Sequence, residues 1–380
     1  MRVLFWCESF WPSIGGSETF AAVLMAGLRS RGHTFEIVTR LSGAEEAPTY
    51  EWQGVSVHRI DVDERAATER DLGVILPARQ RIATLKKRFQ PDLVHVSLPG
   101  PSLLVHRFTT QSAWQCPTLV SLHVPLEPSL VVFKRPAHET TRDAAWVTAC
   151  SRALLDHARW MVPEIRGRSS VIHNGLPAID AVAASPRKPD AFRLLCAGRL
   201  VEQKGFATAI SALQRVLQAG HDASLRIIGD GPLRDELTEL ASSLGIAARV
   251  ELPGWADQRE MLAEIAAADA VLVPSEWEPF GLVALQAGQC SKPAIASEVD
   301  GLPEVVVDGV TGLLAPPGDA VAFAGCIERL LLDPALAQSL GAAGRERAAR
   351  RFDSVRMVDE FDALYHRLAS RPHRVDDGAP

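Results

Sequence analysis

The chain has 380 residues, which is too long for one ordinary hydrophobic core, and usual domain sizes predict two or three domains. Hydrophobic residues make up 47% and charged residues 23% of the chain, which excludes a disordered or fibrous protein. The net charge is −6, from 40 basic and 46 acidic residues, so we expect no general role in binding nucleic acid.

The first half alternates short apolar runs with helical periodicity. Residues 2–7 (RVLFWC) predict a strand, the loop ESFWPSIGGSE follows, and TFAAVLMAGLRSRG predicts a helix with Gly32 as its C-cap. Further buried strands are predicted at TFEIVTR, PDLVHVS, TLVSLHV and AAWVTAC. This alternation favours a parallel sheet.

The pattern restarts after residues 178–190 (AIDAVAASPRKPD), which are rich in Pro, Ala and charge and predict a linker. Strands are predicted at FRLLCAGRL, SLRIIGDGP, VELPG, AVLVPS, PAIAS and TGLLAPP. Helices are predicted at FATAISALQRVLQAG (closed by Gly220), at LRDELTELASSLG, and near 258–267, 282–289 and 301–307. From 319 onward the signal is helical, and the last helix runs from Val355 to about Ser370.

This order of elements predicts an α/β protein with two Rossmann-like, doubly wound domains that face each other across a cleft. We assign 1–180 to the N-terminal domain, 181–190 to the linker and 191–354 to the C-terminal domain. Residues 355–372 form a C-terminal helix that crosses back to the N-terminal domain, and 373–380 form a frayed tail. Ligands of such sheets bind beyond the carboxyl ends of the strands, so the loops there are examined first.

The cysteines and the apolar runs indicate the cellular location of the protein. Six cysteines are widely spaced and show no zinc-binding pattern, so we expect reduced thiols and no metal. Glu8 and Pro12 interrupt the first apolar run, which argues against a signal peptide. No apolar stretch approaches the ~18 residues of a membrane span. We therefore expect a cytoplasmic protein, at most peripheral at the inner face of a membrane.

The first strand-end loop contains Gly15 and Gly16 directly before a helix. Adjacent glycines allow close approach of a ligand, and the helix start offers free amides to an anion; a flexible turn is the alternative interpretation. The sequence contains no GxGxxG and no GxxxxGK[ST] motif, so dinucleotide and P-loop sites lose their main support.

The second loop carries two cations beside a helix start. Arg199 follows Gly198 at the end of a predicted strand, and Lys204 precedes Gly205 and the next helix. Arginine and lysine together suit a diphosphate, although solvated surface cations are equally compatible with the pattern.

The third and fourth loops carry an acid and a histidine. Glu278 follows the strand AVLVPS, and Gly281 opens the next helix, where a carboxylate and free amides can bind one ligand. Gln286 lies about one turn into that helix; the alternative is a simple capped helix. His123 ends TLVSLHV and is either a catalytic group or a hydrogen-bonded structural histidine.

Taken in order, these segments resemble the retaining glycosyltransferases of the GT-B fold, family 4. The matching motifs are GGSE, LHVP, AGRLVEQKG, IIGDGP, ELPGW, SEWEPFGLVALQAG and GLPEVV–DGVTGLLAPPGD. The resemblance covers most of the chain and is denser in its second half. It implies transfer from a nucleotide sugar (UDP-, GDP- or ADP-linked) to a small-molecule, glycan or lipid-linked acceptor. It also implies front-face chemistry with retained anomeric configuration, and neither a metal nor another cofactor.

The resemblance also implies roles for individual residues. Arg199 and Lys204 match the cations that hold the donor diphosphate and stabilise the leaving nucleotide. Glu278 matches the acid that holds donor-sugar hydroxyls, and His123 matches the histidine near the transferred sugar. The remaining donor-binding positions implied by the match are Gly15, Gly16, Gly198, Gly254 beside the nucleobase, Phe280, Gly281, Leu282 and Gln286.

One position departs from the family pattern. The second acid of the Glu-x7-Glu motif, which binds the ribose in the family, is Gln286 here. Replacing a charged acceptor by a neutral one costs ~1 kcal/mol, or less than tenfold in donor affinity. We interpret the change as a weaker or altered donor preference. The alternative is a degenerate family member that binds nucleotide sugar without turnover.

Two charged segments remain. The basic stretch PARQRIATLKKRF holds five cations that either dock on an anionic membrane or form a solvated helix face: Arg79, Arg81, Lys86, Lys87 and Arg88. Asp61 and Asp63 form an Asp-x-Asp pattern that could suggest a metal, but it lies far from the other loops in sequence and we attribute it to chance.

Overall fold

The computed structural model describes residues 1–12, 15–41, 47–97, 99–127, 134–179, 184–185 and 191–370. The chain divides into two compact units: unit 1 contains Met1–Gly175 and Ser354–Pro380, and unit 2 contains Leu176–Asp353. Most of the predicted linker, and all of the predicted frayed tail, lie outside the described residues. In the described part of the chain, no helix is long and apolar enough to cross a membrane.

Unit 1 contains an eight-stranded sheet in the order β3-β4-β2-β1-β5-β6-β7-β8. All neighbouring pairs are parallel except β3 with β4, a hairpin that the sequence patterns did not reveal. The strands are β1 (Arg2–Cys7), β2 (Thr34–Arg40), β3 (Thr49–Trp52), β4 (Val55–Ile60), β5 (Leu93–Ser97), β6 (Thr118–Leu122), β7 (Trp146–Ala149) and β8 (Ser169–Val171).

The helices of the first 175 residues are α1 (Gly16–Arg29), α2 (Glu64–Glu69), α3 (Leu72–Phe89), α4 (Leu103–Ser112), α5 (Arg135–Asp143) and α6 (Arg152–Met161). The predicted C-cap of α1 is wrong. Ser30 caps the helix, and Gly32 lies two residues further on, where its φ of +85° forms the turn into β2.

Unit 2 contains a six-stranded parallel sheet in the order β11-β10-β9-β12-β13-β14. Its strands are β9 (Phe192–Ala197), β10 (Ala223–Ile228), β11 (Val250–Gly254), β12 (Ala270–Val273), β13 (Ala294–Ser297) and β14 (Gly312–Ala315). All six predicted strands of this half are therefore present, most with shorter bounds than the sequence patterns suggested.

The helices of unit 2 are α7 (Phe206–Gln218), α8 (Arg234–Ser243), α9 (Gln258–Ala267), α10 (Leu282–Gln289), α11 (Leu302–Val305), α12 (Ala320–Leu332) and α13 (Pro334–Arg351). Ala219 caps α7, and the predicted cap Gly220 follows it with a φ of +88°. The unit has one buried core formed by the strands and by the apolar faces of α7 and α12.

Each sheet has a point at which the strand order reverses. In unit 1 the chain adds β2 on one side of β1 and later places β5 on the other side. In unit 2 it adds β10 beside β9 and later places β12 on the opposite side of β9. The loops that leave two such strands diverge to opposite faces, which opens a crevice where ligands of these sheets bind.

The last helix, α14 (Ser354–Ala369), belongs to unit 1 and completes its core. It buries Met357, Phe361 and Leu368 against residues of β1 and α1. A polar contact also orients α14 on the sheet, because the Tyr365 hydroxyl lies 2.6 Å from His95 Nδ1. The core of unit 1 thus combines residues from its sheet and α1 with residues of the last helix.

We predict that Phe361→Ala lowers the free energy of unfolding of unit 1 by about 3–5 kcal/mol, because it leaves a cavity in the core. Phe361 is 1% exposed, and its ring centroid lies 5.5 Å from that of Phe20. Hydrogen exchange of the β1 and β5 amides would measure the effect in this unit alone. The control is Asp359→Ala at an exposed ion pair, where we expect less than about 1 kcal/mol. Equal effects of the two variants would contradict the assigned core.

Candidate functional site

The strand-order reversal of unit 2 carries an ion pair. Lys204 follows β9 and Glu278 follows β12, and Lys204 Nζ lies 2.6 Å from Glu278 Oε2. The Ser275 hydroxyl donates a longer hydrogen bond, of 3.4 Å, to the same carboxylate oxygen. The lysine and glutamate side chains are 23% and 12% exposed, so both are largely withdrawn from solvent while remaining reachable. The two charges predicted from separate loops therefore meet at the crevice.

Backbone hydrogen bonds fix the position of Glu278. Its N–H donates to Asp300 Oδ2 at 3.0 Å, and its carbonyl accepts from the Gly301 N–H at 3.0 Å. Asp300 itself has a φ of +44°, an uncommon conformation for a residue other than glycine. The loop after β12 is thus tied to the loop after β13, which limits the movement of the carboxylate.

A second set of contacts ties the same loop to the one after β9. The Gln203 side-chain amide donates to the Trp277 carbonyl at 3.1 Å, and the Gln203 carbonyl accepts from the Glu276 N–H at 2.9 Å. Gly205 has a φ of +62°, and a Cβ at this position would lie 2.0 Å from the Pro274 carbonyl oxygen. Only glycine allows the two loops to approach this closely, and Lys204 is the residue before it.

The start of α10 is also fixed by a glycine. Gly281 precedes the helix with a φ of +104°, and a Cβ there would lie 2.6 Å from Leu302 Cδ2. Phe280 is 3% exposed, and its ring lies 5.6 Å from that of Phe352. The Phe280 side chain therefore holds the turn in the core. The turn can offer a ligand its backbone, including the first amides of α10 from Leu282 onward.

The other predicted residues of unit 2 lie at strand ends or on α10. Gly198 has a φ of +147°, and a Cβ on it would lie 3.5 Å from Lys204 Cε. Gly198 therefore lies beside the aliphatic part of the Lys204 side chain. Arg199 is exposed, and the described residues provide no hydrogen-bond or ionic partner for its guanidinium. Gly254 ends β11, two strands from β9, and its carbonyl accepts from the Gly229 N–H at 2.8 Å. Gln286 is half-buried on α10.

The remaining predicted residues, His123, Gly15 and Gly16, belong to unit 1. His123 directly follows β6, and its ring centroid lies 4.2 Å from that of Phe20. Burial lowers the pKa of His123 to about 4, so the imidazole is neutral at pH 7, and its buried Nε2 has no hydrogen-bond partner in the described residues. The side chain therefore has an unused donor or acceptor.

The helix start after Gly15 is more acidic than the sequence suggested. Helix α1 begins at Gly16, and the Gly15 carbonyl accepts from the Thr19 N–H at 3.0 Å. Glu18 is buried in the first turn, and a Cβ on Gly15 would lie 2.8 Å from Glu18 Oε2. A ligand at this helix start meets a carboxylate as well as free amides.

Sequence patterns missed the residues that hold the site together. Gln203, Ser275 and Asp300 all contact the loop that carries Glu278. The Asp-Gly pair at Asp300 and Gly301 is a typical turn signal and could have identified one of them. Nothing in the sequence indicates the long-range contacts of Gln203.

The structure divides the predicted basic stretch. Helix α3 carries all five cations, but Lys86 is 1% exposed, Arg81 donates to the Arg59 carbonyl at 2.8 Å, and Arg88 donates to Glu36. Arg79, Lys87 and Arg88 are exposed. The stretch is therefore partly a surface face and partly buried or tied to neighbouring elements.

Other polar clusters have structural roles. Asp63 caps α2 by accepting from the Ala66 N–H at 2.7 Å, which explains half of the Asp-x-Asp pattern. Among the described residues, one group could hold a metal ion: His33, Asp362 and His366. Asp362 Oδ1 lies 2.8 Å from His33 Nε2 and 3.3 Å from His366 Nε2, and these contacts attach α14 to the start of β2.

Comparison with known proteins agrees with this geometry. The model of the glycosyl transferases group 1 matches residues 180–347, and that of glycosyltransferase family 4 matches residues 14–178. The two models together account for both units. The chain belongs to glycosyltransferase family 4.

Individual relatives match either about half of the chain or nearly all of it at lower identity. A glycogen synthase of Mycobacterium tuberculosis is 35% identical over 214 residues, which is 56% of this chain and 51% of that protein. The chain thus matches about half the length of this relative. The lipopolysaccharide core biosynthesis glycosyltransferase LpsE of Rhizobium meliloti is 26% identical over 371 residues, 94% of this chain and 97% of that one.

Solved structures agree on the GT-B fold. Sucrose-phosphate synthase from Thermosynechococcus elongatus has a TM-score of 0.80 at 23% identity, covering 97% of this chain and 98% of that chain. HepE from Anabaena, in complex with UDP-glucose, has a TM-score of 0.76 at 22% identity, covering 97% and 100%. The predicted fold class, two Rossmann-like α/β domains of the GT-B type, is confirmed.

We predict that Gly205→Ala displaces the Lys204 loop, because the added methyl group would meet the Pro274 carbonyl. The variant should lose more than about 2 kcal/mol of stability in unit 2, more than the ~1 kcal/mol of left-handed strain alone. The matched control is Gly220→Ala, which also has a positive φ but opens into free space. Chemical denaturation compares the two, and equal losses would contradict the close contact.

Proposed function

We propose that the protein is a retaining glycosyltransferase that moves a sugar from a nucleotide-sugar donor to an acceptor. The observation that carries this proposal is the Lys204–Glu278 pair at the strand-order reversal of unit 2. A cation and an anion at one crevice fit a ligand that has both a diphosphate and hydroxyl groups, as a nucleotide sugar does.

The proposed chemistry is electrostatic. When the donor binds, Lys204 exchanges its contact with Glu278 for one with the diphosphate, and the exposed Arg199 guanidinium adds a second cation. The free amides at the start of α10 contribute further donors. These groups stabilise the charge that develops on the leaving nucleotide. Stabilisation of such charge is usually the largest single contribution to the rate acceleration of an enzyme. In this proposal the protein's own cations perform this task, without a metal ion or another cofactor.

Glu278 is proposed to hold donor-sugar hydroxyls. Its backbone is fixed at both the N–H and the carbonyl, so its carboxylate is positioned before the ligand arrives. We further propose that the front face of the sugar receives the acceptor, which retains the anomeric configuration. Neutral His123, with its free Nε2, is proposed to bind the transferred sugar, and Gly16 to allow its helix start to approach the donor phosphate.

The nucleotide and the acceptor are proposed only as classes. A relative in fold was solved with UDP-glucose, so a UDP-sugar is the first donor to test, followed by GDP- and ADP-sugars. Binding stabilises a protein by mass action, so a thermal-shift screen against these donors identifies the base and sugar. Gln286 supports the alternative function, in which the protein binds nucleotide sugar without turnover.

We predict that Lys204→Ala lowers turnover of the donor found in that screen by about 10²–10³-fold, the usual effect of removing one electrostatic contact to the transition state. The measurement is nucleotide release under saturating donor, with folding checked by hydrogen exchange. Arg215→Ala, at an exposed cation on the following helix α7, is the matched control and should remain fully active.

The outcomes separate the two functions. Full activity of Lys204→Ala would refute the glycosyltransferase proposal. Donor binding by the wild type without any nucleotide release, across all acceptors, would favour the binding-only alternative.

We also propose a peripheral membrane contact, through a patch that shares only Arg79 with the basic stretch. Leu72, Leu76 and Phe108 are 62%, 50% and 45% exposed, and the Arg79 guanidinium lies 6.0 Å from the Phe108 ring centroid. We call these four residues the α3 patch. Apolar side chains beside an exposed cation are the composition that binds at the lipid headgroup boundary.

We predict that the double variant Leu72→Asp/Leu76→Asp loses most of its co-sedimentation with vesicles that contain anionic lipid. The reason is that these two leucines supply most of the exposed apolar area of the α3 patch, and this area would be buried in the membrane. Leu332→Asp, at a leucine that is 69% exposed in unit 2, controls for added charge. Unchanged sedimentation of the double variant would exclude this contact.

A further inference from the structure

A largely buried acid, Glu8, lies at the strand-order reversal of unit 1. Glu8 directly follows β1, and Ser102 lies between β5 and α4. These are the two strands whose loops diverge, so this position corresponds to that of Lys204 and Glu278 in unit 2. A ligand of this sheet is expected to bind here.

One oxygen of Glu8 is fully used and fixes the carboxyl group. Oε1 accepts from the Ser102 N–H at 2.9 Å and also from the Ser102 hydroxyl. The same hydroxyl accepts from Trp6 Nε1 at 2.7 Å. Gly100 packs against the acid so closely that a Cβ there would lie 2.2 Å from Glu8 Cγ. The carboxyl group is therefore held in one orientation.

The other oxygen is buried and has no hydrogen-bond partner in the described part of the chain. A buried acceptor left unpaired costs about 1–3 kcal/mol, so such atoms normally have a partner in the working protein. Its nearest cation is Arg40, whose Nε lies 3.9 Å away and whose side chain is 39% exposed, so the site is close to solvent on that side. Oε2 is thus an unpaired acceptor beside a partly exposed arginine side chain.

The same edge of the sheet holds further unpaired atoms. The hydroxyl of Ser97, the last residue of β5, and Nε2 of His123, after β6, are buried without a partner in the described residues. Strands β1, β5 and β6 are neighbours, and the carboxyl ends of parallel strands share one edge. Several unused polar atoms along one edge indicate a ligand with several polar groups.

We propose that Glu8 Oε2 binds a hydroxyl of the acceptor, and that the acceptor is a neutral polyhydroxylated ring such as a sugar or a cyclitol. This inference rests on the proposed glycosyltransferase function. A hydroxyl donates one hydrogen bond to a carboxylate, which is what Oε2 lacks. An ammonium group fits less well, because Arg40 already places a positive charge beside this oxygen.

The protonation of Glu8 provides a second signature. Burial raises the pKa of Glu8 to about 7, with Glu64 adding to the rise and the Ser102 hydrogen bonds and Arg40 opposing it. The carboxylate, which is the better acceptor for a hydroxyl, therefore dominates only above about pH 7. Use of the acceptor should increase as pH rises through this value.

The test compares wild type with Glu8→Gln, which keeps the size of the side chain and an oxygen for Ser102. The donor is the nucleotide sugar found by thermal shift, and the acceptor probes are methyl α-glucopyranoside, methyl α-mannopyranoside and myo-inositol, with glucosamine as the cationic comparison. We expect neutral probes to stimulate nucleotide release by the wild type more than glucosamine does. In Glu8→Gln we expect the acceptor kcat/KM to fall at least about tenfold and to lose its rise near pH 7, while nucleotide affinity is unchanged.

Glu64→Gln is the control, since it removes an exposed carboxylate near Glu8. Well above pH 7 it should leave acceptor use intact, and it should move the rise to lower pH, because Glu64 helps to raise the pKa of Glu8. The inference is overturned if Glu8→Gln uses the probes as well as wild type does, which is the result expected if Oε2 binds only an ordered water. It is also overturned if glucosamine is preferred to every neutral probe. Failure of the proposed function looks different, because then either no nucleotide sugar binds to the wild type or the donor binds and no acceptor of any class releases nucleotide.

Discussion

The close contact between the loops after β9 and β12 is the constraint on which the site of unit 2 depends. Gly205 lies against the Pro274 carbonyl, and Gln203 bonds to both Glu276 and the Trp277 carbonyl. The loops diverge from a strand-order reversal and would otherwise be independent. Their backbone contact allows Lys204 on one loop to meet Glu278 on the other at 2.6 Å. The ion pair is therefore a result of the backbone arrangement, and for a largely buried pair the cost of desolvation offsets much of the Coulombic gain.

This arrangement explains why the ion pair can also be a binding site. Both side chains are mostly withdrawn from water, so each has lost part of its hydration and is compensated mainly by the other. A ligand that offers an anion to Lys204 and hydroxyls to Glu278 replaces the compensation for both charges at once. A ligand with only one of these features leaves the other charge without a partner, which disfavours its binding.

The sequence predicts the architecture well, because the spacing of apolar residues and the order of strands and helices determine it. The strands of unit 2 and the helix after each functional loop follow from apolar runs and glycine positions. The β3–β4 hairpin was missed, since β3 has only four residues and contains Tyr50, Glu51 and Trp52 without clear alternation. The cap of α1 was misplaced because Gly32 is required by the following turn. The basic stretch stays an open prediction, although a linear pattern cannot show that Lys86 is buried and that Arg81 and Arg88 have partners.

The candidate site was predictable only in part, for a related reason. Motifs identify groups that act on a ligand, such as Lys204 and Glu278, because their residue types are unusual at strand ends. They do not identify residues that act through geometry. Asp300 supports Glu278 through its backbone, and Ser102 orients Glu8 from ninety-four positions away in the chain. In the sequence, Glu8 was interpreted only as an interruption of an apolar run. Its unpaired oxygen could not be recognised there, because it depends on the sheet placing β1 beside β5. Supporting residues of this kind are found from the folded chain, because their partners are distant in sequence and their chemistry is ordinary.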